Sequence, residues 1–116
     1  MAITTSVICN SFKKQLLEGT HNFSSGSGNS FKLALYTNSA TLGKSTTSFT
    51  TDNQVSNTGQ YTSGGGALTN GGTSLSTNTA IIDFADRSFT GVTLTARGAL
   101  IYNDTASGDP AVCVLD

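Results

Sequence analysis

The chain has 116 residues and a net charge of −1, and only 11% of its residues are charged, against roughly a quarter in an average soluble domain. It contains one His, two Cys and no Trp, whereas Thr, Ser, Asn and Gly together fill roughly half of it, well above ordinary usage. The non-specific attraction of such a chain to nucleic acid should be weak, and it has few residues for acid–base or metal chemistry. The composition favours a structural or binding protein over an enzyme.

The length fits a single domain spanning residues 1–116. No apolar run approaches the roughly 18 residues of a membrane-spanning helix, and the N-terminal segment lacks the basic and apolar regions of a signal peptide. We therefore expect folding in a cytoplasm, no membrane partner, and Cys9 and Cys113 in the reduced state. Both cysteines stand beside apolar residues and are predicted to be buried thiols. The alternative is a disulfide that joins the two ends of the chain.

The first segment has the spacing of a helix, predicted over about residues 6–18. Thr5 or Ser6 can act as the N-cap, because a hydroxyl there accepts a backbone N–H. Gly19 stands where a glycine commonly follows the last turn of a helix. We expect this helix to cover one face or end of a sheet, or to dock on a neighbouring subunit.

The same segment carries one apolar stripe. Ile8, Phe12 and Leu16 recur at four-residue spacing and are predicted to face the sheet. Lys14 and Glu18 lie away from the stripe as an exposed ion pair four residues apart. The spacing therefore predicts an amphipathic helix that needs an apolar partner, since an isolated helix of this length is marginal.

Beyond the helix, residues 24–30 are rich in Ser and Gly and are predicted to be a flexible loop. Residues 31–116 then have the character of a β-sandwich. In the first strand, Phe31, Leu33 and Leu35 alternate with the residues between them, which predicts one buried face.

The middle of the chain is polar. Residues 38–49 are predicted to be mostly loop. The run Asn70-Gly71-Gly72 is a good turn signal, because Asn and Gly tolerate positive φ. Leu68 and Leu75 would flank the hairpin that this turn closes.

The last third has the strongest β character. The predicted strands are residues 79–84, a strand that begins at Phe89 and bends at Gly91, residues 96–102 and, after a turn-rich loop over 104–110, residues 111–115. The sequence stops at Asp116, directly after this apolar strand. The strand is therefore expected to pair inside the sheet, to be covered by a partner, or to continue in a longer chain.

Three candidate chemical sites each have a structural interpretation that we favour. His21 has no accompanying GxSxG motif, and it is interpreted as a polar residue past the helix end. Gly64–Gly66 precedes a strand rather than the helix that a phosphate site needs, so we predict a bulge or loop. Asn103, Asp104 and Asp109 could bind calcium in a loop, but their spacing does not match an EF-hand.

Charged residues near the last strands are also interpreted as structural. Asp83, Asp86 and Arg87 lie between two predicted strands, where paired carboxylates could do acid–base work. A strand-end turn with a local Asp–Arg pair is the favoured interpretation. Arg97 lies inside an apolar stretch and is predicted to pair with Asp83 or Asp86.

Five segments carry a likeness to a known family: Ser11–Phe23, Phe31–Thr37, Val55–Gly59 with Gly64 and Gly65, Ala96–Asp104 and Ala111–Leu115. They resemble a family of small virion structural proteins of tailed bacteriophages, of the capsid-decoration, head-fibre or tail-associated type. The resemblance implies a structural role on the particle and no catalytic residues. Residues 24–29 look like an insertion relative to the family, and its members tend to continue beyond the last strand, which implies a truncated C-terminus or a sheet completed by another subunit.

Together the residues and the resemblance predict a mainly β (α+β) fold, an antiparallel β-sandwich with one N-terminal helix packed on the sheet. The predicted function is non-enzymatic assembly on a phage particle in many copies, after folding in the host bacterial cytoplasm. Its expected partners are other virion proteins and copies of itself, with no cofactor, metal or nucleic acid. The alternative is a receptor- or glycan-binding fibre module, in which Tyr36, Tyr61 and Tyr102 line a sugar site.

Overall fold

The computed structural model describes residues 3–116 and shows a mainly β (α+β) fold with two antiparallel sheets and one short helix. The elements are β1 (Val7–Ile8), α1 (Asn10–Leu17), β2 (Phe31–Tyr36), β3 (Gly66–Ala67), β4 (Asn70–Ser76), β5 (Thr79–Phe84), β6 (Gly98–Asn103) and β7 (Ala111–Leu115). The larger sheet has the order β1-β7-β6-β2-β3, and the smaller is the β4–β5 hairpin. The predicted fold class is therefore confirmed, with α1 packed against β7.

Strand β2 is buried on both faces, whereas one buried face was predicted. On the predicted face Phe31 is buried and Leu33 and Leu35 are partly buried. On the other face Ala34 and Tyr36 are fully buried. The irregular segment over residues 37–65 packs over the Ala34 and Tyr36 face, as the hydrogen bond from the Tyr36 hydroxyl into that segment shows. Because both faces of β2 are covered, the alternation of apolar residues did not identify the more buried one.

Strand β7 lies inside the larger sheet and has a neighbour on each side. Val114 is opposite Val7 of β1 and also opposite Leu100 of β6. Of the three expectations for this apolar strand, pairing inside the sheet is the one that the structure shows. The edges of the larger sheet are instead the two-residue strands β1 and β3.

Both cysteines are free thiols. The Cys9 N–H donates to the Val112 carbonyl over 3.0 Å, whereas Cys113 is opposite Ile8. Because successive side chains of a strand point to opposite faces, Cys9 and Cys113 lie on opposite faces of the sheet, and the alternative disulfide is not formed. Burial raises the pKa of both thiols, that of Cys113 to about 11, so both stay protonated at neutral pH.

The helix begins later than the sequence predicted. It starts at Asn10, because Val7–Ile8 pair with β7 instead of forming the first helical turn. Neither Thr5 nor Ser6 is the N-cap. That position is held by Cys9, which makes no side-chain capping hydrogen bond. Strand pairing therefore decides where this helix starts.

The predicted apolar stripe is broken for the same reason. Ile8 belongs to β1 and is exposed, and Leu16 is 46% exposed. Phe12 is the residue of α1 that is buried. The helix thus contacts the core mainly through one aromatic ring.

The end of the helix is as predicted. Gly19 has φ +76°, the left-handed conformation that glycine adopts without steric cost. The Thr20 N–H reaches back to the Gln15 carbonyl at 3.0 Å, which closes the last turn. Lys14 and Glu18 form the predicted ion pair on the exposed side.

The hairpin turn is not where the sequence placed it. The β4 and β5 strands are joined at residues 77–78, and Asn70-Gly71-Gly72 lies inside β4. There the pairing register shifts between Asn70 and Thr73, which marks a bulge, and the Asn70 side chain accepts the Gly72 N–H at 2.7 Å. The Asn–Gly–Gly run therefore bends a strand instead of reversing the chain.

Residues 85–97 form no regular strand, so the strand predicted from Phe89 is wrong. The predicted bend at Gly91 is present, with φ +66°. The Phe89 ring packs against the Tyr61 ring, with the centroids 5.2 Å apart. Phe89 is apolar because it packs between two irregular segments, and a sequence pattern that indicates a strand does not predict such a contact.

The loop predicted to be flexible, residues 24–30, is a hydrogen-bonded turn. The Gly28 N–H donates to the Ser24 carbonyl at 2.9 Å, and the Asn29 N–H donates to the Asn22 carbonyl at 2.8 Å. These bonds fold the loop back on itself next to the end of β6.

Candidate functional site

His21 lies just past the helix end, as the sequence analysis expected, and it is buried in the core. Its ring packs against the Phe12 ring with centroids 4.8 Å apart, and against the Phe23 and Phe31 rings at 6.3 Å each. Its Nε2 atom is 2.9 Å from the Gln15 carboxamide oxygen. The imidazole is therefore enclosed by aromatic rings and has a neutral partner.

Asn103, which is fully buried, determines the protonation state of this imidazole. Its carboxamide oxygen accepts the N–H groups of Thr105 and Ala106 at 2.9 and 3.0 Å. Its NH2 group therefore faces His21 Nδ1 at 3.0 Å and Asn29 Oδ1 at 2.9 Å. Nδ1 carries no proton, and Nε2–H donates to the glutamine of α1. The partners are amides, unlike the hydroxyl and carboxylate of a catalytic triad.

Acidification is expected to destabilise the protein through His21. Burial lowers the pKa of its imidazole below the ordinary 6.5, so the unfolded chain binds more protons than the folded state just below that pH. The free energy of unfolding is greatest above 6.5 and decreases as the pH falls through this window. Urea unfolding at neutral and mildly acidic pH measures the loss. His21→Gln should reduce the loss, and an unchanged pH dependence in that variant would contradict the assignment.

The glycine run has a packing role. The Gly64 N–H donates to the Gln54 carboxamide oxygen at 2.7 Å, and the Gly64 carbonyl accepts the Tyr102 hydroxyl at 2.6 Å. Gly65 lies so close to β2 that a Cβ atom there would be 1.9 Å from the Leu33 carbonyl oxygen. At this run the backbone of the loop lies directly against the backbone of β2. This agrees with the loop interpretation and not with a phosphate-binding site.

The loop aspartates do not converge on a cation site. Asp104 forms an ion pair with Lys32 at 3.5 Å, and Asn103 belongs to the histidine network. Asp109 adopts φ +48°, and its backbone carbonyl accepts the Phe49 N–H at 2.9 Å. Within residues 3–116, no three His, Cys, Asp or Glu side chains are grouped so that they could hold a metal ion.

Arg97 pairs with a different carboxylate from those predicted. Its Nε atom is 3.1 Å from an oxygen of Asp116. Arg97 is exposed and lies just before β6, so it is not inside a buried strand. Asp83 and Asp86, the predicted partners, lie beyond salt-bridge distance from it.

Arg87 packs on an aromatic ring and forms no ion pair with Asp83 or Asp86. Its guanidinium carbon lies 4.9 Å from the centroid of the Phe89 ring. Its guanidinium also covers Gly66, where a Cβ atom would be 2.4 Å from the Arg87 Nε. The predicted local Asp–Arg pair is therefore wrong, and Arg87 is a packing residue.

The three tyrosines are buried, so the tyrosine-lined sugar site is wrong. Burial raises the pKa of all three phenols, that of Tyr102 to about 12. Their hydroxyls hold the irregular segment of residues 37–65 against the sheet. Tyr36 donates to the Thr50 carbonyl (2.6 Å), Tyr102 donates to the Gly64 carbonyl (2.6 Å), and Tyr61 accepts the Leu35 N–H (2.8 Å).

The β4–β5 hairpin, called the ribbon below (residues 70–84), exposes large aliphatic side chains. Leu75 is 75% exposed, Ile81 is 41% exposed and Ile82 is 40% exposed. An isolated two-stranded hairpin is at best marginally stable in water. The ribbon is therefore an element that contacts with other parts of a protein would stabilise, and its exposed aliphatic side chains form an apolar surface that could make such contacts.

One face of the ribbon continues the core outwards. Leu75 is opposite Ala80, and Ile82 and Phe84 lie on the same face two and four residues further along β5. Phe84 is half-buried, and its ring centroid is 5.7 Å from that of Phe31 in the core. The apolar face thus begins in the core at Phe84 and becomes exposed towards the turn.

The base of the ribbon is fixed by hydrogen bonds. The Asn70 NH2 group donates to the Phe23 carbonyl at 3.0 Å, and the Ala85 N–H donates to the Thr69 carbonyl at 2.9 Å. The sequence predicted β5 at the residues where it occurs, but it gave no indication that Ile81 and Ile82 are exposed.

A groove of about 680 Å³ lies beside β1, between the N-terminal segment and the loop that follows β2. Seven of its lining side chains carry hydroxyls, and Val7 and Leu42 add apolar surface. Lys44 is its one charged lining residue. Sequence analysis treated this loop as a plain connection. The lining residues, called the hydroxyl groove below, are Thr4, Thr5, Val7, Thr41, Leu42, Gly43, Lys44, Ser45, Thr46, Thr47 and Thr50.

Comparison of the chain with protein-family models, curated proteins and solved structures finds no match. The helix within residues 3–116 is too short to cross a membrane. The surface features considered for a function are the ribbon, with its exposed aliphatic side chains, and the hydroxyl groove.

Proposed function

We propose that this chain is a non-enzymatic structural protein of a phage particle, present in many copies that contact one another and other virion proteins. The observation that carries the proposal is the ribbon, with Leu75, Ile81 and Ile82 exposed in the single chain. Aliphatic side chains grouped on a projecting element are typical of surfaces that a neighbouring subunit covers. The resemblance to virion structural proteins supports the phage setting.

The charge of the chain supports self-association. The net charge is −1, and residues 70–82 of the ribbon contain no charged side chain. Identical copies therefore repel one another only weakly, and the ribbon can be buried without removing an ion from water. The many surface hydroxyls provide directional hydrogen bonds to neighbours.

The buried histidine supports the non-enzymatic part of the proposal. His21 is the residue of this sequence best suited to proton transfer near neutral pH. It is enclosed by aromatic rings and bonded to amides. The His21 side chain therefore contributes packing and hydrogen bonds to the core.

Light scattering coupled to size exclusion, over a range of concentrations, tests the proposal. The wild-type mass should exceed that of one chain and increase with concentration. Leu75→Asp should shift the protein towards monomer, weakening association by about tenfold or more, because a charge then enters a desolvated contact. Leu17→Asp is the matched control, since Leu17 is 92% exposed on α1, away from the ribbon. A wild-type monomer at every concentration would contradict self-assembly.

A receptor- or glycan-binding fibre module is the second candidate, favoured by the hydroxyl groove. Seven hydroxyl side chains around about 680 Å³ could hydrogen-bond a neutral saccharide. The groove lacks an aromatic lining residue on which a sugar could stack. A selective glycan-array signal that is lost in Thr41→Ala and Thr47→Ala would favour this candidate over assembly.

A further inference from the structure

A series of contacts joins the buried imidazole of His21 to the base of the ribbon. The His21 ring stacks on the Phe23 ring with centroids 6.3 Å apart. The Phe23 ring packs in turn against the Phe84 ring of β5, also at 6.3 Å, and the Phe23 carbonyl accepts the Asn70 NH2 group of β4 at 3.0 Å. The Ser25 hydroxyl, in the same segment, donates to the Asn70 carbonyl at 3.4 Å. The segment that carries His21 therefore holds both strands of the ribbon.

A second proton on this imidazole would have no acceptor. Nε2–H already donates to the Gln15 carboxamide oxygen, and Nδ1 faces the NH2 group of Asn103 at 3.0 Å. The Asn103 side chain cannot turn its oxygen towards Nδ1 without losing the hydrogen bonds that this oxygen accepts from the Thr105 and Ala106 N–H groups. An imidazolium would thus place two N–H donors against each other between buried side chains, which is unfavourable.

The charged groups around the site do not compensate for this. The elements that pack against His21 carry five charged side chains: Lys13, Lys14, Glu18, Lys32 and Asp104. Lys14 pairs with Glu18 on the exposed side of α1, Lys32 pairs with Asp104, and Lys13 is exposed. Residues 20–30 contain no ionisable side chain other than the imidazole. Within residues 3–116, no carboxylate lies within salt-bridge distance of the ring. Loss of the contact with Asn103 is therefore the expected result of protonation.

From these contacts we infer that protonation of His21 displaces Phe23 from the base of the ribbon, so that the ribbon is held at neutral pH and loosened in mild acid. A hairpin without support is at best marginally stable in water, so the loosened ribbon opens and its β4–β5 hydrogen bonds become accessible to water.

The direction of the pH effect follows from the burial of the imidazole. Burial lowers the pKa of His21 below the ordinary 6.5, whereas in the loosened form the ring is accessible and binds a proton more tightly. The population of the loosened form therefore increases as the pH falls below 6.5, by at most about tenfold per pH unit.

A consequence for self-association rests on the proposed function. The ribbon carries Leu75, Ile81 and Ile82, the exposed side chains on which that proposal depends. Copies that bind the held ribbon are expected to dissociate more readily in mild acid, because loosening of the ribbon competes with the contact. The loosening itself is a property of one chain and is measured without any association.

Amide hydrogen exchange of the full chain tests the inference at about pH 7.5 and about pH 5.5, at a dilution where light scattering gives the mass of one chain. After correction for the intrinsic effect of pH on exchange, the amides of β4 and β5 should exchange severalfold faster at the lower pH. Those of β6 and β7, which pair with each other in the larger sheet, should stay equally protected. This comparison is made within the wild-type molecule.

Two variants assign the effect to the imidazole. His21→Gln removes the titrating group and should abolish the faster exchange of the ribbon in acid. Asp83→Asn is the matched control, since Asp83 is the one ionisable residue of the ribbon itself, and it should respond as the wild type does. If His21→Gln does not fold, Asn70→Ala replaces it. That variant removes the bond to Phe23, so its ribbon should exchange faster already at neutral pH and respond less to acid.

Four results would overturn the inference. Equal acceleration of all strands would show global unfolding, and an unchanged ribbon would show that its base does not respond to acid. A full acid response in His21→Gln, or in Asn70→Ala, would show that the signal does not pass through the imidazole or through the Asn70–Phe23 bond. None of these results bears on the proposed self-assembly, which light scattering at neutral pH decides separately.

Discussion

Gly65→Ala is expected to lower the free energy of unfolding by about 2–5 kcal/mol, without changing the fold class. Gly65 has φ +82°, and the left-handed conformation costs an alanine about 1–2 kcal/mol. A Cβ atom there would also be 1.9 Å from the Leu33 carbonyl oxygen and 2.8 Å from the Ala34 Cα. Because these are backbone atoms of β2, relief requires a strand to move, and such overpacking costs about 1–3 kcal/mol. Urea unfolding monitored by circular dichroism measures the sum.

Gly64→Ala is the matched control for the conformational part. Gly64 has φ +95°, but a Cβ atom there would meet only the Tyr102 hydroxyl, at an ordinary 3.5 Å. Its expected cost is therefore about 1–2 kcal/mol, from backbone conformation alone. Equal losses in the two variants would show that the close approach of Gly65 to β2 does not contribute. A larger loss for Gly65→Ala is expected, since only that position combines strain with collision.

Phe12→Ala is expected to lower the free energy of unfolding by about 3–5 kcal/mol, as for other aromatic truncations in a core. The Phe12 ring is buried, and it packs against the rings of His21 and Phe23, with centroids 4.8 and 5.9 Å apart. Its removal leaves a cavity beside the buried imidazole. Thermal and urea unfolding of the single-chain species measure the loss.

Leu17→Ala is the control on the same helix, because Leu17 is 92% exposed. Its effect on unfolding should lie within about 0.5 kcal/mol. If Phe12→Ala instead left the stability nearly unchanged and abolished self-association, α1 would be a docking element for a neighbour. The two variants therefore separate a helix that completes the core from one that serves an interface.

The fold class and several strand boundaries followed from the sequence. Strands β2, β5 and β7 were predicted at the residues where they occur, 31–36, 79–84 and 111–115. Each combines β-branched or aromatic residues with turn residues at its ends, and both signals act over a few neighbouring residues. The end of the helix at Gly19 is local in the same sense, since it depends on one glycine conformation.

Contacts distant in sequence decided the features that were mispredicted. The helix start moved because Val7–Ile8 pair with β7, more than 100 residues away. The bulge at Asn70–Gly72 is held by the Asn70 NH2 group, which donates to the Phe23 carbonyl 47 residues away, so this run does not form the hairpin turn. His21 has no sequence context that marks burial, and its state depends on Asn103, which a distant strand brings to it.

The sequence by itself determined that this is a weakly charged, hydroxyl-rich β protein, because composition and short-range patterns carry that information. Only the tertiary structure decided which apolar strands are covered. Ile81 and Ile82 have the same strand character as the residues of β7. Yet β7 has a neighbouring strand on both sides, whereas the ribbon has exposed aliphatic side chains on both faces, Ile82 on one and Ile81 on the other. Burial is a property of what packs against a residue, and for the ribbon no covering partner lies within residues 3–116.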